Sequence, residues 1–203
     1  MILASGSPRR LELLRNLGLS FEVVVSRVDE TVPAGIAPEK LVESLALAKA
    51  EAVLAMLSGN QELVLIGADT MVVLDGELIG KPSDGEDARR MLIKLSNRTH
   101  EVLTGVAVLR QTKEGDVDTL VCLEKSLVTF RSLSEAEIAA YVTTGEPLDK
   151  AGSYALQGIG AAFVAKIDGC YTNIIGLPIP KLVGVLRSAG LAILGEPDCT
   201  QIT

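Results

Sequence analysis

Apolar residues recur along this chain with two periods, and the switches between them predict its elements. Met1-Ile2-Leu3-Ala4 reads as a short strand, Ser5-Gly6-Ser7 as a tight turn, and the Leu-rich stretch from Pro8 as an amphipathic helix. Ser7 is its expected N-cap, with Pro8 at the first helical position, where a missing N–H costs nothing. Gly18 supplies a stop, and the β-branched run of residues 21–26 predicts a second strand. Residues 26–40 are acidic, hold two prolines and read as a loop. A long helix follows over 38–57, with Leu41, Leu45, Ala48, Ala52 and Ala55 on one face. Residues 62–82 then give a buried strand, a polar break at Asp69-Thr70, and a hairpin turning at Asp75-Gly76.

The second half predicts a helix over 84–96 and strands over 99–110 and 118–133, joined by the turn at 111–116. Ser134 and Glu137 form a capping box opening the helix that carries Ile138 and Tyr141. Residues 145–169 are Gly-rich and apolar, expected as a loop and then a hairpin. Residues 177–190 form a last helix, and the tail from 191 to 203 has little to fold around and is expected to fray. Helices alternate with strands early and strands adjoin later. The fold class is therefore α/β, with one central mixed, twisted sheet flanked by helices. No repeat or linker divides the chain, so residues 1–203 are read as a single domain.

Composition narrows the function. Of 203 residues 48% are apolar, yet only three are Phe, three Tyr and none Trp, so the core is expected to be Leu, Val, Ile and Ala, and the scarcity of aromatics argues against nucleic-acid binding by base stacking. The net charge of −7 argues against a general polyanion binder, so any anion site is local. Cys122, Cys170 and Cys199 are too dispersed for a disulfide framework or zinc site, in keeping with a reducing cytoplasm. No signal peptide precedes the first strand, and charges interrupt every apolar stretch before membrane-spanning length, so the protein is expected to be soluble. His100 is the only histidine and reads as a partly exposed structural residue at the start of a strand.

Against this background Arg9 and Arg10 stand out, because a helix N-terminus carries partial positive charge and favours acids. Free amides at the turn and two guanidinium forks beside them suit a di- or triphosphate. The bland reading, two arginines reaching into water at a small cost, is about as good on this motif alone. The G-x-x-x-x-G-K-[ST] of a P-loop is absent.

Asp69 follows the hydrophobic run LVLIGA, and a carboxylate at a strand end can hold a metal or orient water. A lone aspartate is more often a turn cap, but Lys81 is held before a proline one hairpin later, and Glu30 offers a second carboxylate from the acidic loop. Carboxylates plus several cations are what metal-assisted phosphoryl chemistry needs. The stretch GEPLDKAGSYALQG gathers Lys150, Gly152, Tyr154, Gln157 and Gly158; Gln157 is a two-way hydrogen-bonding group fit to read a base edge, though a Gly-rich hairpin with a surface glutamine is the safer reading of composition alone.

Taken in order and spacing, SGSPRR, VDE, the lysine of ALAKA, GADT, GKP, GEPLDKAGSYALQG and IIGLP resemble the Maf family of nucleoside triphosphate pyrophosphatases, from Ile2 to about Gly190. The resemblance implies an elongated two-lobed α/β fold with a cleft, similar to inosine triphosphate pyrophosphatases and often dimeric. It implies cleavage of the α–β phosphoanhydride with Mg²⁺, Mn²⁺ or Co²⁺. Ser7, Arg10, Lys49 and Lys81 are then expected at the phosphates; Asp69, Glu30 and Lys81 form the catalytic set, with Asp69 and Glu30 toward the metal. Arg9, Thr70 and Gln157 match the branch that prefers dTTP and UTP, where the 7-methyl-GTP branch has Trp, Gln and Glu. Uracil and thymine present acceptor, donor, acceptor, which a glutamine amide can meet, leaving a carbonyl for Arg9. Arg10 would thus serve the polyphosphate and Arg9 the base. Cys170 and Ala155 depart from the family's usual Ser and Gly. A regulatory nucleotide-binding protein linked to arrest of cell division is the alternative, and a nucleotidyltransferase a third.

Overall fold

The computed structural model describes residues 1–28, 35–57, 59 and 61–193. Its strands are β1 (Ile2–Leu3), β2 (Glu22–Val23), β3 (Leu63–Leu74), β4 (Glu77–Ile79), β5 (Thr99–Gln111), β6 (Val117–Phe130) and β7 (Val164–Asp168). The helices are α1 (Pro8–Asn16), α2 (Pro38–Met56), α3 (Gly85–Leu95), α4 (Glu135–Thr143), α5 (Tyr171–Ile175) and α6 (Ile179–Ser188). All seven strands form one mixed sheet in the order β2-β1-β3-β5-β6-β7, with β4 also paired to β3. The expected α/β architecture is present.

Several expectations change. The polar break at Asp69-Thr70 does not exist, because β5 pairs with β3 continuously from Leu63 to Val73 and carries the ladder straight through it. The predicted hairpin in 145–169 is instead three 3₁₀ turns (Glu146–Asp149, Ala151–Ser153 and Ile159–Phe163) and the single strand β7, which pairs with β6. The tail from 191 begins packed rather than frayed: Ile193 is buried and Leu191 lies against the core, while residues 194–203, Cys199 among them, lie outside the described residues. Of the β-branched run at 21–26 only Glu22–Val23 is strand, at the sheet's edge against β1.

Alternation along β3 decides what each face carries. Val64, Ile66, Ala68, Val72 and Leu74 point to one face, where they join two separate clusters. One contains Leu14 of α1 and Leu182 and Leu186 of α6, and the other Leu92 and Leu95 of α3 and Ile138 and Tyr141 of α4. Thr70 lies between the two clusters on that face. The opposite face takes α2. Gly67 and Gly105 let it come close: a Cβ at Gly67 would meet the Ala46 carbonyl oxygen at 2.2 Å, and one at Gly105 the Val42 carbonyl oxygen at 2.4 Å. Any side chain at either position must push the helix off the sheet.

β3 is paired unevenly along its other edge. β1 covers it at Leu65 and Ile66, and β4 resumes only at Val72. Between these points no described strand pairs with residues 67–71 on this edge, β5 holding only the opposite one.

His100 is buried, contrary to expectation. Its ring meets Phe130 and Tyr154 edge-on at 5.0 and 5.4 Å, Nε2 bonds the Tyr154 hydroxyl at 2.9 Å, and Nδ1 has no partner. Burial pushes its pKa down from 6.5 to about 4, so the folded state holds the neutral ring while the unfolded chain takes up a proton. This contribution is complete above pH 6.5 and is lost as pH falls toward 4. From pH 6.5 to 5, before most carboxylates titrate, stability is expected to drop by roughly 1.5 kcal/mol. Urea unfolding at both values checks this, and His100→Phe should flatten the dependence.

Candidate active site

The interrupted edge of β3 opens into a cavity of about 650 Å³, and two segments converge on it from opposite ends. Leaving β1, Ser5-Gly6-Ser7 turns into α1; leaving β4, Gly80 and Lys81 come back along β3. Ser7, Arg9, Arg10, Lys49, Asp69, Thr70, Lys81 and Gln157 all line this one cavity. Glu30 lies outside the described residues.

Asp69 and Thr70 leave β3 on opposite faces, as neighbours on a strand must. Asp69 faces α2, where Lys49 Nζ donates to its Oδ1 at 2.6 Å with both side chains largely shielded from solvent. The α2 approach allowed by Gly67 and Gly105 is what brings this lysine to the carboxylate. Oδ2 accepts no hydrogen bond from a described residue. Thr70 faces α1 and lies in a chain of hydroxyls. Thr104 Oγ1 donates to the Asn173 carbonyl at 3.0 Å, so the 3.0 Å contact between Thr70 and Thr104 runs from Thr70 to Thr104. Arg10 Nη2 donates to Thr70 Oγ1 at 3.0 Å.

Arg10 is the most anchored of the expected residues. Besides Thr70, its Nη1 donates to Ser5 Oγ at 3.1 Å and its Nε to the Gly176 carbonyl at 2.8 Å, tying the first turn to the loop after α5. Its guanidinium thus braces the cavity floor, as sequence spacing could not reveal for a partner 166 residues away. Ser7 occupies the N-cap with extended backbone, but its hydroxyl makes no capping bond; its amide instead donates to Ser5 Oγ at 3.3 Å. The first turn of α1 contains no acid, and Ser7, Pro8, Arg9 and Arg10 all line the cavity.

Two lining residues add charge that the site assignment left out. Lys150 and Asp149 pair with each other at the rim. The Lys150 ammonium, outweighing burial, holds the Asp149 carboxyl below its usual range, with a further push from Arg9. Among the described lining residues there are five cations, Arg9, Arg10, Lys49, Lys81 and Lys150, against two carboxylates, Asp69 and Asp149, a net +3 for the described lining. The chain as a whole is at −7.

The profile of Maf-like proteins matches residues 1–189. The chain belongs to the Maf family. Within it, the dTTP/UTP pyrophosphatase of Pelotomaculum thermopropionicum is 48% identical over 194 residues, 96% of this chain and 98% of that one. The dTTP/UTP pyrophosphatase of Symbiobacterium thermophilum is 49% identical over 193 residues, 95% of each chain. Among solved structures, the Ham1 protein of Staphylococcus aureus aligns at 14% identity and a TM-score of 0.46, covering 93% of this chain and 98% of that one, a likeness on which nothing functional rests. Of the Maf motifs quoted from the sequence, SGSPRR, the lysine of ALAKA, GADT, GKP, GEPLDKAGSYALQG and IIGLP all supply residues to the cavity lining, while the acidic end of VDE lies outside the described residues. Thr104 and Asn173, which complete the Arg10 brace, lie in apolar stretches that give no local signal of a site. The glycine in LTGV was the one readable hint, since Gly105 marks a close approach.

Proposed function

We propose that this Maf protein hydrolyses dTTP and UTP to the monophosphate and pyrophosphate. The observation that carries the reading is the +3 charge of the described cavity lining in a −7 chain, with Asp69 held beside Lys49 among the cations. A cavity of about 650 Å³ is within the usual range for small-molecule sites. The close relatives' common designation agrees with the assignment.

The residues divide the work. Lys81, Lys150 and the α1 amides meet the polyphosphate, whose charge offsets the repulsion between the cations. Lys49 fixes Asp69 through Oδ1 and leaves Oδ2 toward the reacting phosphate, where it takes a proton from the attacking water. Arg10 and Thr70 hold the two walls in register from below. Gln157, with Arg9, reads the base edge.

A divalent cation fits this donor set. Mg²⁺ uses one or two carboxylates and completes its shell with water and substrate phosphates, and Asp69 offers an oxygen with no described partner. Among the described residues no cluster of three acid, histidine or cysteine ligands exists, so Asp69, joined by Glu30, is the holder proposed for Mg²⁺, Mn²⁺ or Co²⁺. Such an ion supplies charge neutralisation at the phosphates and acidifies bound water. EDTA is expected to lower pyrophosphate release from UTP at least tenfold, with recovery on adding Mg²⁺ or Mn²⁺. Undiminished turnover in chelator removes the metal from the reading.

Pyrophosphate release from a panel of nucleotides is the test of the function itself. Binding of UTP without any release would return the protein to a regulatory role. Among the described residues no helix is long and apolar enough to cross a membrane. The proposal places the enzyme in the cytoplasm with its nucleotide substrates and as a homodimer, which sedimentation can check.

A further inference from the structure

The loop that carries Gln157 is held by a carboxylate of the GEPLDKAGSYALQG stretch to which the sequence assigned no role. Glu146 opens the 3₁₀ turn after α4, just past Gly145, whose φ of 75° turns the chain back on the helix. Its Oε1 accepts from the Gly160 amide at 3.0 Å and from the Tyr141 hydroxyl at 2.8 Å, and its Oε2 accepts from the Ile159 amide at 3.0 Å. The Tyr141 oxygen in turn accepts from the Ala155 amide at 3.2 Å. Gly158 fits beneath the same carboxylate, for a Cβ there would lie 2.5 Å from Oε2. Bonds to amides on both sides of Gln157 therefore converge on one pair of side chains, the buried Tyr141 and the half-buried Glu146.

We propose that Glu146, acting with the Tyr141 hydroxyl, is a positioning residue that clamps residues 155–160 and so presents Gln157 to the base; this role rests on the uracil-reading assignment above. Gln157 is itself exposed and lines the cavity, so no packing of its own fixes it. A loop pinned at Ala155, Ile159 and Gly160 leaves little freedom for the residues between, and the ordering cost of binding the base is met in the fold rather than at each binding event. Both partners hold the right protonation state. Burial alone would raise the Glu146 carboxyl, but the two amides and the tyrosine outweigh it and hold it below its ordinary value. Burial, and then Glu146, push the Tyr141 hydroxyl up, keeping it a donor.

Glu146→Gln tests the clamp at nearly constant volume. It replaces one acceptor oxygen by an NH₂ that must face an amide N–H or the tyrosine hydroxyl. The expected result is a roughly tenfold rise in KM for UTP and dTTP, kcat within about threefold of the parent, and a UTP-over-CTP preference reduced about tenfold. Exchange of the Ile159 and Gly160 amide hydrogens should quicken in parallel. Tyr141→Phe, which removes only the link to Ala155 and one bond to the carboxylate, should move the same quantities less, and it decides the matter if Glu146→Gln does not fold. A folded Glu146→Gln with parental KM and parental base preference overturns the proposal. So does a loss confined to kcat, which would place Glu146 with the reacting phosphates. A parent that releases no pyrophosphate from UTP or dTTP is a separate outcome, seen before any substitution is made, and it removes the uracil reading and the clamp's role together.

Discussion

Asp69→Asn is expected to lower kcat for UTP and dTTP by about a hundredfold or more while the protein keeps its fold. The amide is nearly isosteric, and its carbonyl oxygen can still accept from Lys49 Nζ, so the one strong contact of the side chain survives. What is lost is the other oxygen, which as NH₂ can take neither a proton nor a metal. Substrate binding should not weaken, because removing a negative charge leaves the cavity more positive toward a polyphosphate. The signature is thus a fall in kcat without a rise in KM, read beside an unchanged thermal midpoint. A variant with near-parental kcat would make Asp69 a strut for Lys49 and nothing more.

The second large effect concerns the base. UTP and dTTP are expected to exceed CTP by at least about a hundredfold in kcat/KM, because the N4 amine and bare N3 of cytosine reverse two of the groups that Gln157 and Arg9 would meet, leaving polar atoms unpaired. Gln157→Glu should weaken uracil nucleotides, since a carboxylate cannot donate to O4. Adding Arg9→Trp should move the preference toward 7-methyl-GTP, a flat cation suited to an aromatic face and a negative charge. Thr70→Gln, the third difference between the branches, is a poorer choice in this chain. The Thr70 hydroxyl carries the link from Arg10 to Thr104, and a longer amide there disturbs the brace as well as the base. The measurement is kcat/KM for the four nucleotides on the parent and the double variant. Equal parental rates for UTP and CTP would move selectivity away from these two side chains.

What the sequence showed follows from how local each signal is. The capping box at Ser134 and Glu137 and the helix it opens were readable because the whole motif spans four residues. The turn at Asp75-Gly76 was readable too, both residues having positive φ as the hairpin requires. The course of β3 through Asp69-Thr70 was not, because its continuity comes from β5, some thirty-five residues on. The 145–169 stretch misled for a related reason: its glycines suggest turns of a hairpin, while the partners that shape it, Tyr141 and Glu146, sit outside any strand pattern. At the site, residue identities were legible from the motifs. The division of labour was not, since anchoring Arg10 takes Ser5, Thr70 and Gly176 together.

The edge of β3 left uncovered between Ile66 and Val72 makes that strand a ruler. β1 and β4 are fastened to it separately, so the span between the two walls of the cavity is set by six steps of extended chain, about 20 Å. Deleting or inserting one residue within 67–71 would shorten or lengthen that span by about 3 Å. It would also turn every later side chain of the strand to the wrong face and put the β5 ladder out of step. The number of residues from Ile66 to Val72 is therefore a quantity the protein cannot vary, whatever happens to the loops on either side.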